Sequence, residues 1–270
     1  MAVLFLLLGG QVAGTWYGRP ASDSTTLGSA QRSQRADSPA EAARPPEVAE
    51  VGHAPTAAPP TKPPRKSIPG GAKFAAMGVK LRTGSAGVAL TFDDGPHPVH
   101  TPQVLAILRQ NKIRAVFCLV GSEVRRYPEL VAQIAREGHT LCNHTWHHEL
   151  DLGSKPVAEI RANLLNTNAE IRRAVPDAPI ALYRQPGGKW TPRIVQVAKQ
   201  LGMKSLGWTV DPKDWEKPTA NVISARVFAA TEPGSVVLLH DAGGDRAATV
   251  AACRTLIPAL KRRFRLIQLR

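Results

Sequence analysis

A chain of 270 residues with 35 Lys and Arg against 21 Asp and Glu carries a formal net charge of +14, and its 43% hydrophobic content suffices for one medium-sized core. Three cysteines exclude a small disulfide-framework fold. With no zinc-finger spacing, aromatic RNA-binding motif or basic repeat, the charge points to a polyanionic partner such as a cell wall or membrane surface, and neither nucleic acid nor an obligate protein partner is marked.

The chain starts with an apolar run, Ala2–Leu8, followed by small residues at Val12-Ala13-Gly14, so residues 1–14 read as a signal-like or anchor segment although a basic n-region is missing. The run is short for a transmembrane helix, which needs about 20 apolar residues. Ten of the 23 prolines fall between Pro20 and Pro69, among Ala, Ser, Thr, Arg and Glu. Such a composition buries too little apolar surface to offset its ordering entropy, and 15–84 is expected to be a disordered linker. Residues 1–75 hold eight basic and five acidic side chains, leaving 27 against 16, or +11, on the remainder. A signal-like start, a stalk and a basic domain together predict export to, or tethering at, the cell envelope.

From residue 85 to 270 a strand, loop, helix pattern repeats. Val88–Phe92 reads as a buried strand ending in Asp-Asp-Gly-Pro, and Pro102–Gln110 has helical spacing at Val104, Ile107 and Leu108. Strand Arg114–Val120 follows, then a helix over Glu129–Glu137 bracketed by Pro128 and Gly138, then strand His139–Asn143. Val157, Ile160, Leu164, Ile171 and Val175 stripe a long amphipathic helix. Strand Ile180–Tyr183 leads to a glycine-rich loop and to a helix capped by Thr191, opened by Pro192 and closed by Gly202. Strand Lys204–Val210, helix Ala220–Ala230, strand Ser235–His240, helix Ala247–Arg262 and strand Arg265–Leu269 complete the chain. Alternation of this kind predicts parallel βαβ units in an α/β fold, a distorted (β/α) barrel with fewer than eight regular strands. An open doubly wound sheet is the alternative, disfavoured because no dinucleotide glycine fingerprint follows the first strand. Cys118 and Cys142 each fall in a buried strand, where the plain reading is a small core side chain rather than a bridge.

Polar clusters follow five strands, each at the C-terminal end: Asp93-Asp94, His144 with His148, Arg184, Asp211 with Asp214, and His240-Asp241. In a (β/α) barrel these ends converge on one face. Of two adjacent carboxylates, one suits a cation and the other a base. His144 and His148, at i and i+4, are expected on the same side of a helical turn, and two imidazoles plus one carboxylate form a common open catalytic metal set. Arg184 is placed to pair with and orient Asp93, while a backbone N–H of the Pro186-Gly187-Gly188 loop faces a developing oxyanion. Val236, Leu238 and His240 share one strand face, an apolar floor leading to an imidazole whose proton Asp214 would hold.

The segments Thr91-Phe92-Asp93-Asp94-Gly95-Pro96, His144-Thr145-x-x-His148, Arg184-x-Pro186-x-Gly188, Asp211-x-x-Asp214-Trp215 and Leu238-x-His240 resemble the five ordered motifs of the polysaccharide deacetylase family (NodB homology domain, carbohydrate esterase family 4). The resemblance spans 85–270. It implies metal-dependent hydrolysis of the N-acetyl group from N-acetylglucosamine-type units of a polysaccharide, peptidoglycan or chitin oligomers, with release of acetate. It implies Asp93 as general base, Asp94, His144 and His148 as ligands of a divalent ion, Zn²⁺ first and Co²⁺ next, Arg184 as orienter of the base, Asp214 as tuner of His240, and His240 as general acid. Gly187, Trp215 and Leu238 would contact substrate. His147 is left without a role. Gly187 stands where the family often carries an aromatic ring, and Lys189 or Trp190 is the expected replacement. Two other readings stay open: hydrolysis of an O-acetyl ester on a polysaccharide such as acetylxylan, and a catalytically silent sugar-binding module.

Overall fold

The structure is a computed structural model that describes residues 70–270. The segment 1–14 and the linker up to residue 69 lie outside the described residues. Six strands form one all-parallel sheet: β1 (Ala89–Asp93), β2 (Val116–Leu119), β3 (Thr140–Asn143), β4 (Leu182–Tyr183), β5 (Lys204–Ser205) and β6 (Val236–His240), in the order β5-β4-β3-β2-β1-β6. Eight helices accompany them: α1 (Gly71–Ala76), α2 (His100–Gln110), α3 (Gly121–Arg126), α4 (Pro128–Arg136), α5 (Val157–Ala174), α6 (Pro192–Gln200), α7 (Ala220–Ala230) and α8 (Ala247–Arg263). None of them is long and apolar enough to cross a membrane.

Strand periodicity divides the core in two. Leu90, Phe92, Phe117, Val237 and Leu239 belong to a large cluster with the helices, whereas Ala89, Val116, Cys118, Cys142, Leu182, Leu206 and Val236 form a smaller one on the opposite face of the strands. The smaller cluster fills the inside of a curled sheet, the distorted barrel expected from the sequence. Parallel sheets need both faces covered, which is why β1, β2 and β6 are buried throughout.

Four expectations are corrected. The strand expected over Lys204–Val210 is broken: only Lys204 and Ser205 pair with β4, and Val210 bridges Val237 of β6 instead. Leu81 lies against Gly207, where an added Cβ would meet its Cδ2 at 2.5 Å, and Gly207 donates to the Lys80 carbonyl, so the chain leaves the ladder here and crosses to the other edge of the sheet. The last expected strand, Arg265–Leu269, is reduced to one bridge between Val88 and Leu266. The linker ends earlier than residue 84, because α1 is helical and Lys80 and Arg82 bridge Leu206 and Ser235. Cys118 and Cys142, read as separate core side chains, are joined as a disulfide; their strands pair them directly, with Cα atoms 4.2 Å apart.

Candidate active site

Strand register sets the first level of the site. Asp93 is paired with His240 across β1 and β6, so both side chains leave the barrel's C-terminal end next to each other. Asp93 is buried, and Arg184 Nη1 donates to its Oδ1 at 2.6 Å. Arg184, with no solvent exposure, spends its other donors on Thr91 Oγ1 (2.8 Å) and on the carbonyls of Leu206 (3.1 Å) and Gly207 (3.2 Å), the residues at the break after β5. Its guanidinium lies over the Trp208 ring, 5.6 Å from the centroid. A planar cation anchored on four oxygens has one orientation, and so does the carboxylate it holds.

Asp94, His144 and His148 converge so that one ligand atom from each lies within 4.8 Å of the others. His144 Nε2 is 3.4 Å from Asp94 Oδ1, and His148 Nε2 is 3.3 Å from the same oxygen. The pair is not on a helical turn as the i, i+4 spacing suggested. Thr145 (φ 67°) and His148 (φ 61°) are both left-handed, and the two imidazoles meet on a loop. That loop is held by Asn143, which accepts from Thr145 N–H (2.9 Å) and donates to Leu164 O (2.9 Å) and Asn168 Oδ1 (2.8 Å). Asp94 is also left-handed (φ 75°), and strained backbone at three loop positions costs of order 1–3 kcal/mol each, borne by the surrounding packing.

The protonation pattern suits a cation. Burial works against the charge of Asp94, but the nearby His144, His240 and His148 imidazoles prevail and bring its pKa down to about 2. Burial, followed by the neighbouring His144, lowers the pKa of His148. His144 Nδ1 lies 2.8 Å from the Arg184 carbonyl, which can only accept, so Nδ1 carries the hydrogen and Nε2 presents its lone pair. Asp94 Oδ1 is buried with no hydrogen-bond partner among the described residues. Two imidazole nitrogens and one ionised carboxylate, whose Oδ1 is otherwise orphaned, fit a divalent ion.

On the other side, Asp214 Oδ1 is 2.7 Å from His240 Nδ1, while Oδ2 accepts from His240 N–H and Thr249 Oγ1, both at 2.9 Å. Asp214 opens a short turn flanked by left-handed Lys213 and Lys217, which turns its carboxylate inward and leaves Trp215 47% exposed. Burial disfavours the charged form of His240, yet the hydrogen bond and charge of Asp214, helped by Asp94 and Asp93, raise its pKa to about 9.

All ten residues expected at the site meet here. Asp93, Asp94, His144, His148, Gly187, Trp215, Leu238 and His240 line one cleft of about 860 Å³, with Arg184 and Asp214 directly behind Asp93 and His240. His147, Lys189 and Trp208 line it too. Trp190 does not replace the ring missing at Gly187: it is buried edge-on against Tyr183. Leu150 fills that space, since a Cβ on Gly187 would meet its Cδ2 at 3.0 Å. Sequence reasoning missed Thr91, Asn143, Leu150, Trp208 and Thr249. Asn143 abuts a motif and Thr91 lies within one, so both had a local signal; Thr249 and Leu150 had none.

The model of the family described as Polysaccharide deacetylase matches residues 80–206. A chitooligosaccharide deacetylase from Bradyrhizobium is 40% identical over 192 residues, 67% of this chain and 87% of the relative. The chain belongs to the polysaccharide deacetylase family. A peptidoglycan-N-acetylglucosamine deacetylase from Bacillus cereus is 39% identical over 65% of this chain and 82% of its own. Among solved structures, a peptidoglycan N-acetylglucosamine deacetylase superposes with a TM-score of 0.66 at 33% identity, covering 71% of this chain and 89% of the other. A pseudoenzyme of carbohydrate esterase family 4 from Bacillus anthracis also superposes, with a TM-score of 0.64 at 27% identity over 69% of this chain and 65% of its own.

Proposed function

We propose that this deacetylase removes the N-acetyl group from N-acetylglucosamine units of a polysaccharide in a metal-dependent reaction, with peptidoglycan or chitin-type oligomers as substrate. The observation that carries the reading is the juxtaposition of the Asp94, His144 and His148 triad with two differently supported proton carriers, Asp93 on Arg184 and His240 on Asp214. Asp94, His144 and His148 would hold the ion, with Zn²⁺ best suited to the donor set, and when bound it supplies Lewis-acid polarisation of the amide carbonyl and lowers the pKa of water at the site. Asp93, fixed by Arg184, takes a proton from the attacking water. The water oxygen bonds to the acetyl carbon, and the Gly187 backbone N–H at the cleft wall stabilises the resulting oxyanion. His240, its Nδ1 held by Asp214, gives the Nε2 proton to the departing nitrogen as the C–N bond breaks, leaving acetate and a free amine. Leu238 on the floor and Trp215 at the rim form the slot for the acetyl methyl and the sugar face. The basic domain and the Cys118–Cys142 bridge support an exported enzyme acting on an anionic envelope.

The variant D93N tests the assignment of the base. Acetate release is expected to fall about a hundred- to ten-thousand-fold while metal content, measured by elemental analysis, is unchanged. Full activity in D93N would remove Asp93 from the mechanism.

A further inference from the structure

At the opposite end of the barrel from the active site, where β2 and β3 begin, lies a second cavity of about 540 Å³ lined by Arg109, Lys112, Ile113, Arg114, Glu137, His139, Leu266 and Gln268. His139 is more than nine-tenths buried in its wall. Its Nδ1 accepts from the Ala115 N–H at 3.1 Å, so in the neutral ring, which burial favours, Nε2 carries the hydrogen; that donor has no partner among the described residues. Buried donors are nearly always satisfied, and one left open beside a cavity marks the place of a missing acceptor.

The charge around it agrees. The Arg109 guanidinium is neutralised by Glu137 Oε1 at 2.7 Å, but the side chains of Lys112 and Arg114 make no hydrogen bond or ion pair among the described residues. Glu137 Oε2 is a second buried atom without a partner, and it is an acceptor. Lys112 follows the C-cap of α2 with φ 55°, a left-handed position at which glycine is the ordinary choice. The lysine there gives up backbone ease and places a cation in the cavity lining.

We propose that this cavity binds the phosphoryl group of a small soluble phosphomonoester, whose oxygens take the His139 Nε2–H and the Arg114 and Lys112 charges while a hydroxyl of the same ligand donates to Glu137 Oε2. Two uncompensated cations match a dianion better than a singly charged carboxylate, and the open acceptor beside them calls for a hydroxyl on the ligand.

The test is calorimetric titration of the full chain with inorganic phosphate and glycerol 3-phosphate, with chloride at matched ionic strength as the singly charged control. Glycerol 3-phosphate is expected to bind more tightly than phosphate, and chloride not at all. H139N, whose amide oxygen can still accept from Ala115 N–H, is expected to lose about ten-fold in affinity with the removed donor. K112G removes a cation and relieves the left-handed strain, so phosphate affinity should fall while the melting temperature holds or rises and acetate release is unchanged. Wild-type affinity in both variants, or an equal response to chloride, overturns the proposal. Binding to phosphatidylglycerol vesicles that glycerol 3-phosphate does not compete away overturns it as well, because the face would then meet a lipid surface.

Discussion

In the proposed mechanism His240 and Asp93 do opposite jobs a strand's width apart, and single neighbours decide which does which. Asp214 accepts from both the backbone and the ring of His240, and the raised pKa of about 9 means that the imidazolium persists through neutral pH. An acid of this kind works below its pKa and fails as pH rises through it. A cation at the triad opposes the help from Asp94 and Asp93, which leaves Asp214 as the chief support. D214N should therefore move the alkaline limb of the kcat profile to lower pH, as well as lower its plateau; an unmoved limb would assign the limb to another group. Arg184 is a different case because it is buried on four partners. R184M keeps most of the volume but strands the Asp93 carboxylate, and about 3–5 kcal/mol of unfolding free energy should be lost in a denaturant titration along with activity. Residues whose chemistry is rare at a strand end, such as Asp93, Arg184 and His240, were legible from sequence. The roles of Thr249, which holds Asp214 from α8, and of Thr91, which props Arg184 from inside the first motif, were not: a threonine hydroxyl takes its role only from what folding brings beside it.

The elements that carry the triad are two loops, after β1 and after β3, and both depend on left-handed residues. Asn143 is the fastening of the second loop, tying Thr145 to α5 through Leu164 and Asn168. N143A should weaken metal binding about 10- to 100-fold, as measured by competition with a chelating dye, with smaller loss of fold stability. Unchanged metal affinity would show that the loop is held elsewhere. This level was the least legible. The i, i+4 spacing of His144 and His148 suggested a helix because spacing alone does not reveal that Thr145 turns left-handed. Lys204–Val210 read as a continuous strand because nothing in its own residues records that Leu81, more than a hundred positions earlier, lies across Gly207. Cys118 and Cys142 read as core residues for a similar reason, since their pairing depends on the β2–β3 register. Helices fared better: the Pro and Gly punctuation of α4 and α6 is local chemistry, and both formed where it placed them.

For the whole molecule, parallel strands are what allow five distant segments to act together. All six strands point the same way, so every polar cluster at a C-terminal end reaches one face, and the alternating core residues that were legible in the sequence fix that arrangement. The opposite end is left free for the basic cavity around His139, which no motif announced. Metal dependence is the claim on which the catalytic reading turns. The deciding measurement is acetate release by the full chain from N-acetylglucosamine oligomers and from purified peptidoglycan, after exhaustive chelation and again after resupply with Zn²⁺ or Co²⁺. Loss of release on chelation and recovery with the ion is the expected result. Undiminished release without metal, or none with any metal while the fold is intact, would contradict it.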